Sequence, residues 1–226
     1  MTFNILTIFP AIFDSYFSES ILGRAQKKGA IQIKVHNLRD YTCDKHKTTD
    51  DVPYGGGPGM VMKIEPIYRA LQDIIPERIR VKGIKSQGYD SSSRVILLSA
   101  AGKIFNQKMT RDYVKYKKII LICGHYEGVD QRIADYFCDQ ELSIGKFVLT
   151  GGELPAMVIV DAVSRLLPKV LGNKASLNEE SFSGKGNKIE YPHYTRPENF
   201  QDLKVPKVLL SGDHQKIREW RREHQK

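Results

Sequence analysis

Three short apolar runs, each opening into a loop of small residues, constrain this chain more than any other feature. Val95–Leu98 leads into SAAG (Ser99–Gly102), Ile119–Cys123 into GHYEG (Gly124–Gly128), and Phe147–Leu149 into TGG (Thr150–Gly152). Unbroken runs of β-branched and aliphatic residues suit parallel strands covered on both faces, because a half-exposed strand alternates with polar residues. The expected class is therefore α/β with a parallel sheet. In such open sheets a ligand sits in the crevice beyond the carboxyl ends of the strands. Glycine in any one of these loops is equally what an ordinary tight turn requires. Three loops in register point to a ligand site.

The flanking sequence yields to the same reasoning. Phe3–Phe9, stopped by Pro10, and the alternating Ile31–His36 predict strands. Ala11–Lys28 between them predicts a helix ended by Gly29. A long polar loop over Asn37–Gly59 precedes a helix over Pro66–Ile75 and a polar, irregular, mobile stretch over Glu77–Arg94. Leu154–Leu167 predicts a helix with an apolar face marked by Leu154, Val158, Ala162 and Leu166, and a second four-residue row of Met157, Asp161 and Arg165. Leu171–Gly186 is polar, contains glycines and reads as a linker. The tail Tyr191–Lys226 is a small basic appendage; from Lys185 onward it holds ten Lys/Arg against six Asp/Glu. Its last segment, SGDHQKIREWRREHQK, predicts a capped basic helix carrying the only Trp.

The 35 Lys+Arg against 26 Asp+Glu leave a net charge of +9. That surplus favours a polyanionic partner, nucleic acid first, with a merely solubilising surface as the plain alternative. Cys43, Cys123 and Cys138 are odd in number, widely spaced and form no C-x-x-C pair. They argue against a disulfide framework or a zinc cluster and suit a reducing cytoplasm. No apolar stretch is long enough to cross a bilayer. GGGPG at Gly55–Gly59 is followed by no Gly-Lys-Ser/Thr and lacks G-x-G-x-x-G spacing, so it reads as a tight backbone turn, not a phosphate loop. The six histidines show no metal-ligand spacing, and no metal is expected.

The strings DKHKTTDDVPYGGGPGMVM, CGHYEGVDQRI, ELSIGKFVLTGGELPAM, PHYTRP and VPKVLLSGDHQKIREWR occur in this order. Together they resemble the TrmD family, tRNA (guanine-N1)-methyltransferases of the SPOUT class, from Phe3 to Arg221. The resemblance implies a parallel-sheet methyltransferase domain tied in a deep trefoil knot, with a small C-terminal helical domain. It implies S-adenosylmethionine as methyl donor, tRNA as partner, and a homodimer with each active site at the subunit interface. The implied division is a cofactor-binding domain over 1–171, a linker over 172–186 and a basic helical tRNA-binding domain over 187–226. The implied reaction puts a methyl group on N1 of guanosine 37, on the 3′ side of the anticodon.

By motif, the resemblance places the cofactor at Leu98, Ser99 and Ala100; at Gly124, Tyr126 and Glu127; at Ser143, Ile144, Gly145, Phe147 and Leu149; and at Gly151 and Gly152. For Ile144 and Leu149 plain core packing is the competing reading. Methylation at N1 requires loss of the N1 proton, and a carboxylate within hydrogen-bond reach typically contributes ~10²–10⁴-fold. The family's acidic residue before Ser-Phe falls on Glu180, where Asp is usual. Arg165 matches the family's arginine on the preceding helix and would stabilise charge growing on guanine O6; otherwise it is a surface i,i+4 partner of Asp161. Ala100-Ala101 stands where Pro-Gln is frequent, and Lys146 and Lys169 replace Asp and Gly. Lys45, Lys188, Arg196 and Lys216 are candidate tRNA phosphate contacts, and Asp50 a candidate reader of a base edge. Two other readings stay open: a SPOUT methyltransferase with a different RNA target, and a catalytically impaired RNA-binding SPOUT dimer.

Overall fold

The strands declare two buried faces. Ile119, Leu121 and Cys123 of β6 (Lys118–Cys123) pack into one core cluster, while Ile120 and Ile122 pack into another. In β5 (Ser93–Ile104), Ile96 and Leu98 join the first cluster and Val95 and Leu97 the second. Each such side chain, taken fully out of water, contributes about 1.5–3 kcal/mol of transfer free energy. A computed structural model describes residues 1–76, 92–173, 180–183 and 188–226. The chain divides into two compact units, Met1–Leu171 and Gly172–Lys226.

The first unit is built on a five-stranded sheet of order β2-β1-β6-β5-β7 in which every pairing is parallel. β1 is Thr2–Thr7 and β2 is Gln32–Asn37. The Asn37–Gly59 region carries β3 (Asp50–Asp51), which pairs with β4 (Val61–Met62) in a small antiparallel ladder. Helix α3 spans Ile64–Ile74. Most of the Glu77–Arg94 stretch lies outside the described residues; Ser93 and Arg94 already belong to β5.

Four expectations need correcting. Ala11–Lys28 is not one helix. A 3-10 turn (Pro10–Phe13) leads into α1 (Asp14–Ser18), and after a break at Glu19, extended at ψ 165°, into α2 (Ser20–Lys27). Serine competes for its own backbone groups and favours such breaks, and Ser20 sits at φ +48°. Phe147–Leu149 is not a strand: it is an exposed loop, with Val148 84% exposed. The strand in that region is β7, Gln140–Ser143, which among the described residues pairs only with β5. As an edge strand it has one neighbour and tolerates the polar composition that hid it. Two short helices escaped notice because they span too few residues to show periodicity: α4 (Gln107–Tyr113), capped by Asn106, and α5 (Gln131–Tyr136), capped by Asp130.

The fourth correction concerns α6 (Glu153–Ser164). The row Leu154, Val158, Ala162, Leu166 is its outward side: Leu154 and Val158 are 54% and 44% exposed. Ala156, Ile159, Val160 and Val163 are the residues that pack into the core.

Among the described residues, the second unit holds a two-residue hairpin and two helices. β8 (Asn199–Phe200) pairs antiparallel with β9 (Leu203–Lys204) around Gln201 and Asp202, both at positive φ as a primed turn requires. Helix α7 (Lys207–Leu210) precedes α8 (His214–Glu223). The Asp213 carboxylate caps α8 by accepting from Gln215 and Lys216 N–H at 3.0 and 3.1 Å. Arg221 lies 4.8 Å over the ring of the buried Tyr191.

Candidate active site

β6, β5 and β7 are neighbours in the sheet, so the chain leaving each of them emerges on the same edge. These segments, with the loop that follows β7, enclose a pocket of about 420 Å³. The first is not a simple turn. β5 pairs with β7 up to Leu98 and again from Lys103, and the residues between bulge from the ladder. Gly102 permits the bulge: a Cβ there would stand 2.5 Å from the backbone nitrogen of Leu142. The GHYEG loop is tied on both sides. Glu127 N–H donates to Met60 O at 3.0 Å, and Met62 N–H to Gly128 O at 2.9 Å. The third segment crosses close to the end of β6: Gly152 N–H donates to Gly124 O at 2.9 Å, and a Cβ on Gly152 would lie 2.7 Å from Cys123 Cα.

The lining combines small residues, aliphatic side chains and a set of polar ones. Ser99, Ala100, Gly124, Gly151 and Gly152 offer backbone groups, and Leu98, Leu142, Ile144, Leu149 and Pro155 supply apolar wall. Glu127 and Glu141 add two carboxylates. Beneath the pocket Glu153 is a buried acid, 4% exposed, whose Oε1 accepts the Thr7 hydroxyl at 2.7 Å. Burial pushes the Cys123 thiol well above its ordinary range, and the neighbouring Glu153 charge pushes it further. Cys123 is thus no thiolate nucleophile. Among the described residues no group of three or more His, Cys, Asp or Glu side chains converges to hold a metal, and no helix is long and apolar enough to cross a membrane.

Comparison with known proteins decides the family. Residues 1–226 match the family described as tRNA (Guanine-1)-methyltransferase TrmD. The chain belongs to the TrmD family. The tRNA (guanine-N(1)-)-methyltransferase of Clostridioides difficile is 51% identical over 223 residues, covering 99% of this chain and 91% of that protein. That of Dictyoglomus turgidum is 53% identical over 219 residues, covering 97% and 82%. The crystal structure of tRNA (m1G37) methyltransferase from Aquifex aeolicus superposes with a TM-score of 0.78 at 38% identity, covering 99% of this chain and 88% of the other.

Of the positions that TrmD resemblance marks for the cofactor, all but Gly145 line the pocket. Gly145 acts from behind: a Cβ there would meet the Phe147 ring at 2.2 Å, and Ser143 Oγ donates to Gly145 O at 2.7 Å. Sequence reasoning missed His125, Val129, Gln131, Glu141 and Pro155 as lining residues. All five lie inside the strings that carry the resemblance, but which of them face the pocket depends on how the loops fold. Arg165 is half-buried and closes α6 as its C-cap. The Asp161 carboxylate accepts the Tyr16 hydroxyl at 2.5 Å, a bond that raises the Tyr16 pKa to about 12. Lys45 is exposed and Asp50 half-buried in β3. Glu180, Lys188, Arg196 and Lys216 belong to the second unit. There Ser183 N–H donates to Glu180 O at 3.0 Å, and Lys216 pairs with Asp213 at 3.2 Å.

Proposed function

We propose that this chain transfers the methyl group of S-adenosylmethionine to N1 of guanosine 37 in tRNA, working in the cytoplasm as a homodimer with a knotted cofactor domain. The observation that carries the reading is the convergence of the three motif-bearing segments on one pocket. Its size lies in the range of ~300–1,000 Å³ usual for small-molecule sites. The fit to the donor is chemical as well. Main-chain groups of small residues and aliphatic walls suit an adenine, and the Glu127 and Glu141 carboxylates suit a ligand carrying positive charge.

When bound, the donor supplies an electrophilic methyl on a sulfonium. This chain's residues do the rest. The Glu180 carboxylate takes the N1 proton, so that the N1 lone pair forms the new bond to carbon as the bond to sulfur breaks. The Arg165 guanidinium faces the charge left on O6. The span 1–171 holds the cofactor, 172–186 links, and 187–226 meets tRNA through basic residues such as Lys188, Arg196 and Lys216, with Lys45 and Asp50 contributing from the first span. The outward apolar row of α6, with Phe9 and Ile12 at 45% and 47% exposure, supports subunit pairing.

The test is direct. The protein is given labelled S-adenosylmethionine and bulk tRNA, and the digested nucleosides are identified. Labelled 1-methylguanosine is the expected product. A ribose-methylated product would favour a different RNA target, and no incorporation would favour a binding dimer without activity.

A further inference from the structure

The second unit carries a row of rings against its basic helix. His224, the C-cap of α8, lies flat on Trp220: the ring centroids are 4.0 Å apart and the planes 21° from parallel. Tyr194, 50% exposed, meets the same indole at a steep angle, 62° at 6.2 Å. A carbonyl oxygen only accepts, so the 2.8 Å contact between His224 Nδ1 and Trp220 O is an Nδ1–H donated to that oxygen. The His224 backbone N–H donates to the same oxygen at 3.1 Å. One bond fixes the imidazole and the other its backbone, while the residue as a whole stays exposed. Arg221 and Arg222 stand beside it in the last turn of the helix.

We propose that this imidazole is a stacking ledge for an unpaired base of the tRNA: the base lies on the ring face turned away from Trp220, as the third layer of the stack. Unpaired RNA bases are bound in this way on aromatic and histidine rings, and a ring already held in place loses little freedom when a base arrives. The charge fits the same occupant. From Lys185 onward ten Lys/Arg stand against six Asp/Glu, a surplus suited to the phosphates on either side of the base. Stacking reads no base edge, so the ledge holds the tRNA without choosing its sequence. The inference rests on the tRNA reading above, and not on methyl transfer.

The test is equilibrium binding of bulk tRNA to the full-length protein, without methyl donor, over a range of salt. His224→Asn keeps an N–H donor for Trp220 O and removes the ring; it binds ~5–150-fold more weakly, the range that alanine substitution gives for one base–aromatic stack. His224→Ser, ringless but still a donor, stands in should His224→Asn fold poorly. His224→Phe removes the donor and keeps a flat ring, and binds like the parent. A stack releases no counterions, so the log–log slope against salt is parental in each variant. Parental affinity in His224→Asn overturns the ledge. So does His224→Phe binding as weakly as His224→Asn; with a slope smaller by about one, that result makes the imidazole a phosphate contact instead. A parent that binds tRNA but never methylates it would overturn the methyltransferase reading and leave the ledge standing.

Discussion

Gly152→Ala is the sharpest probe of how the pocket is built. The backbone of Gly152 sits at φ −82°, ψ −1°, which alanine adopts freely, so strain in the dihedrals plays no part. The obstacle is space. The new methyl would lie 2.7 Å from Cys123 Cα and 3.0 Å from Gly124 N, whereas carbon atoms rest at about 3.5–4.0 Å. The TGG segment must therefore retreat from β6 by roughly 1 Å. β6 cannot yield, since Ile119 to Cys123 are all 0–1% exposed in the core. Overpacking of this kind costs about 1–3 kcal/mol, offset by the ~0.4–1 kcal/mol that loss of glycine's freedom gives back through the unfolded chain. For a unit of this size each kcal/mol lowers Tm by about 2–4 °C. Displacing a reaction geometry by ~1 Å costs ~10²-fold in rate. Calorimetric melting and single-turnover methyl transfer measure the two effects. Gly172→Ala, with nothing within 4 Å of its added carbon, is the control and leaves both unchanged. A Gly152→Ala protein that melts and turns over like its parent would refute the close crossing.

Glu180→Gln abolishes single-turnover transfer, by ~10²–10⁴-fold, while cofactor and tRNA binding persist; near-full activity would disqualify Glu180 as the base. Val158→Glu puts a charge on the outward row of α6 and shifts the sedimentation profile from dimer toward monomer with loss of activity, whereas an unchanged dimer would place the interface elsewhere. Affinity for tRNA falls steeply and log-linearly with salt, because each neutralised phosphate releases counterions; a flat titration would contradict a basic binding surface. In the native protein the exposed Cys43 reacts with a thiol reagent while Cys123 and Cys138 are shielded. Its raised folded-state pKa makes the Cys123 thiol contribute stability that is full below its ordinary titration range and lost as pH rises through the folded value. Fast labelling of all three would contradict that burial.

Legibility in the sequence followed the density of apolar signal. β5 and β6 were evident because runs such as Ile119–Cys123 must be buried on both faces, and those faces are the two core clusters. β7 was missed because an edge strand pairs on one side only and Gln140-Glu-Leu-Ser143 shows a single aliphatic residue. Phe147–Leu149 was mistaken for it: apolar side chains line a pocket as readily as they fill a core, and periodicity cannot separate the two. The row from Leu154 to Leu166 failed for the same reason, since spacing identifies a face but not what covers it. The loops that the motif strings mark come together around one pocket. His125, Gln131 and Pro155 lie in those strings too, but only the fold shows that they line the pocket. Glu180 and Arg165 fall in different units, and no local pattern connects them.

The main-chain groups that Ser99, Ala100, Gly124, Gly151 and Gly152 bring to the pocket have a consequence for how the protein can change. Substituting a side chain by anything but proline leaves the backbone N–H in place, so Ala100 and Ala101 can vary without removing what their main chain offers a ligand. Gly102 and Gly152 are the opposite case, because a Cβ on either would strike backbone. An inhibitor held by the same main-chain groups as the natural ligand would therefore meet a high barrier to resistance. The main-chain groups it uses survive most side-chain substitutions, and Gly152 stands where a Cβ would strike the backbone of β6.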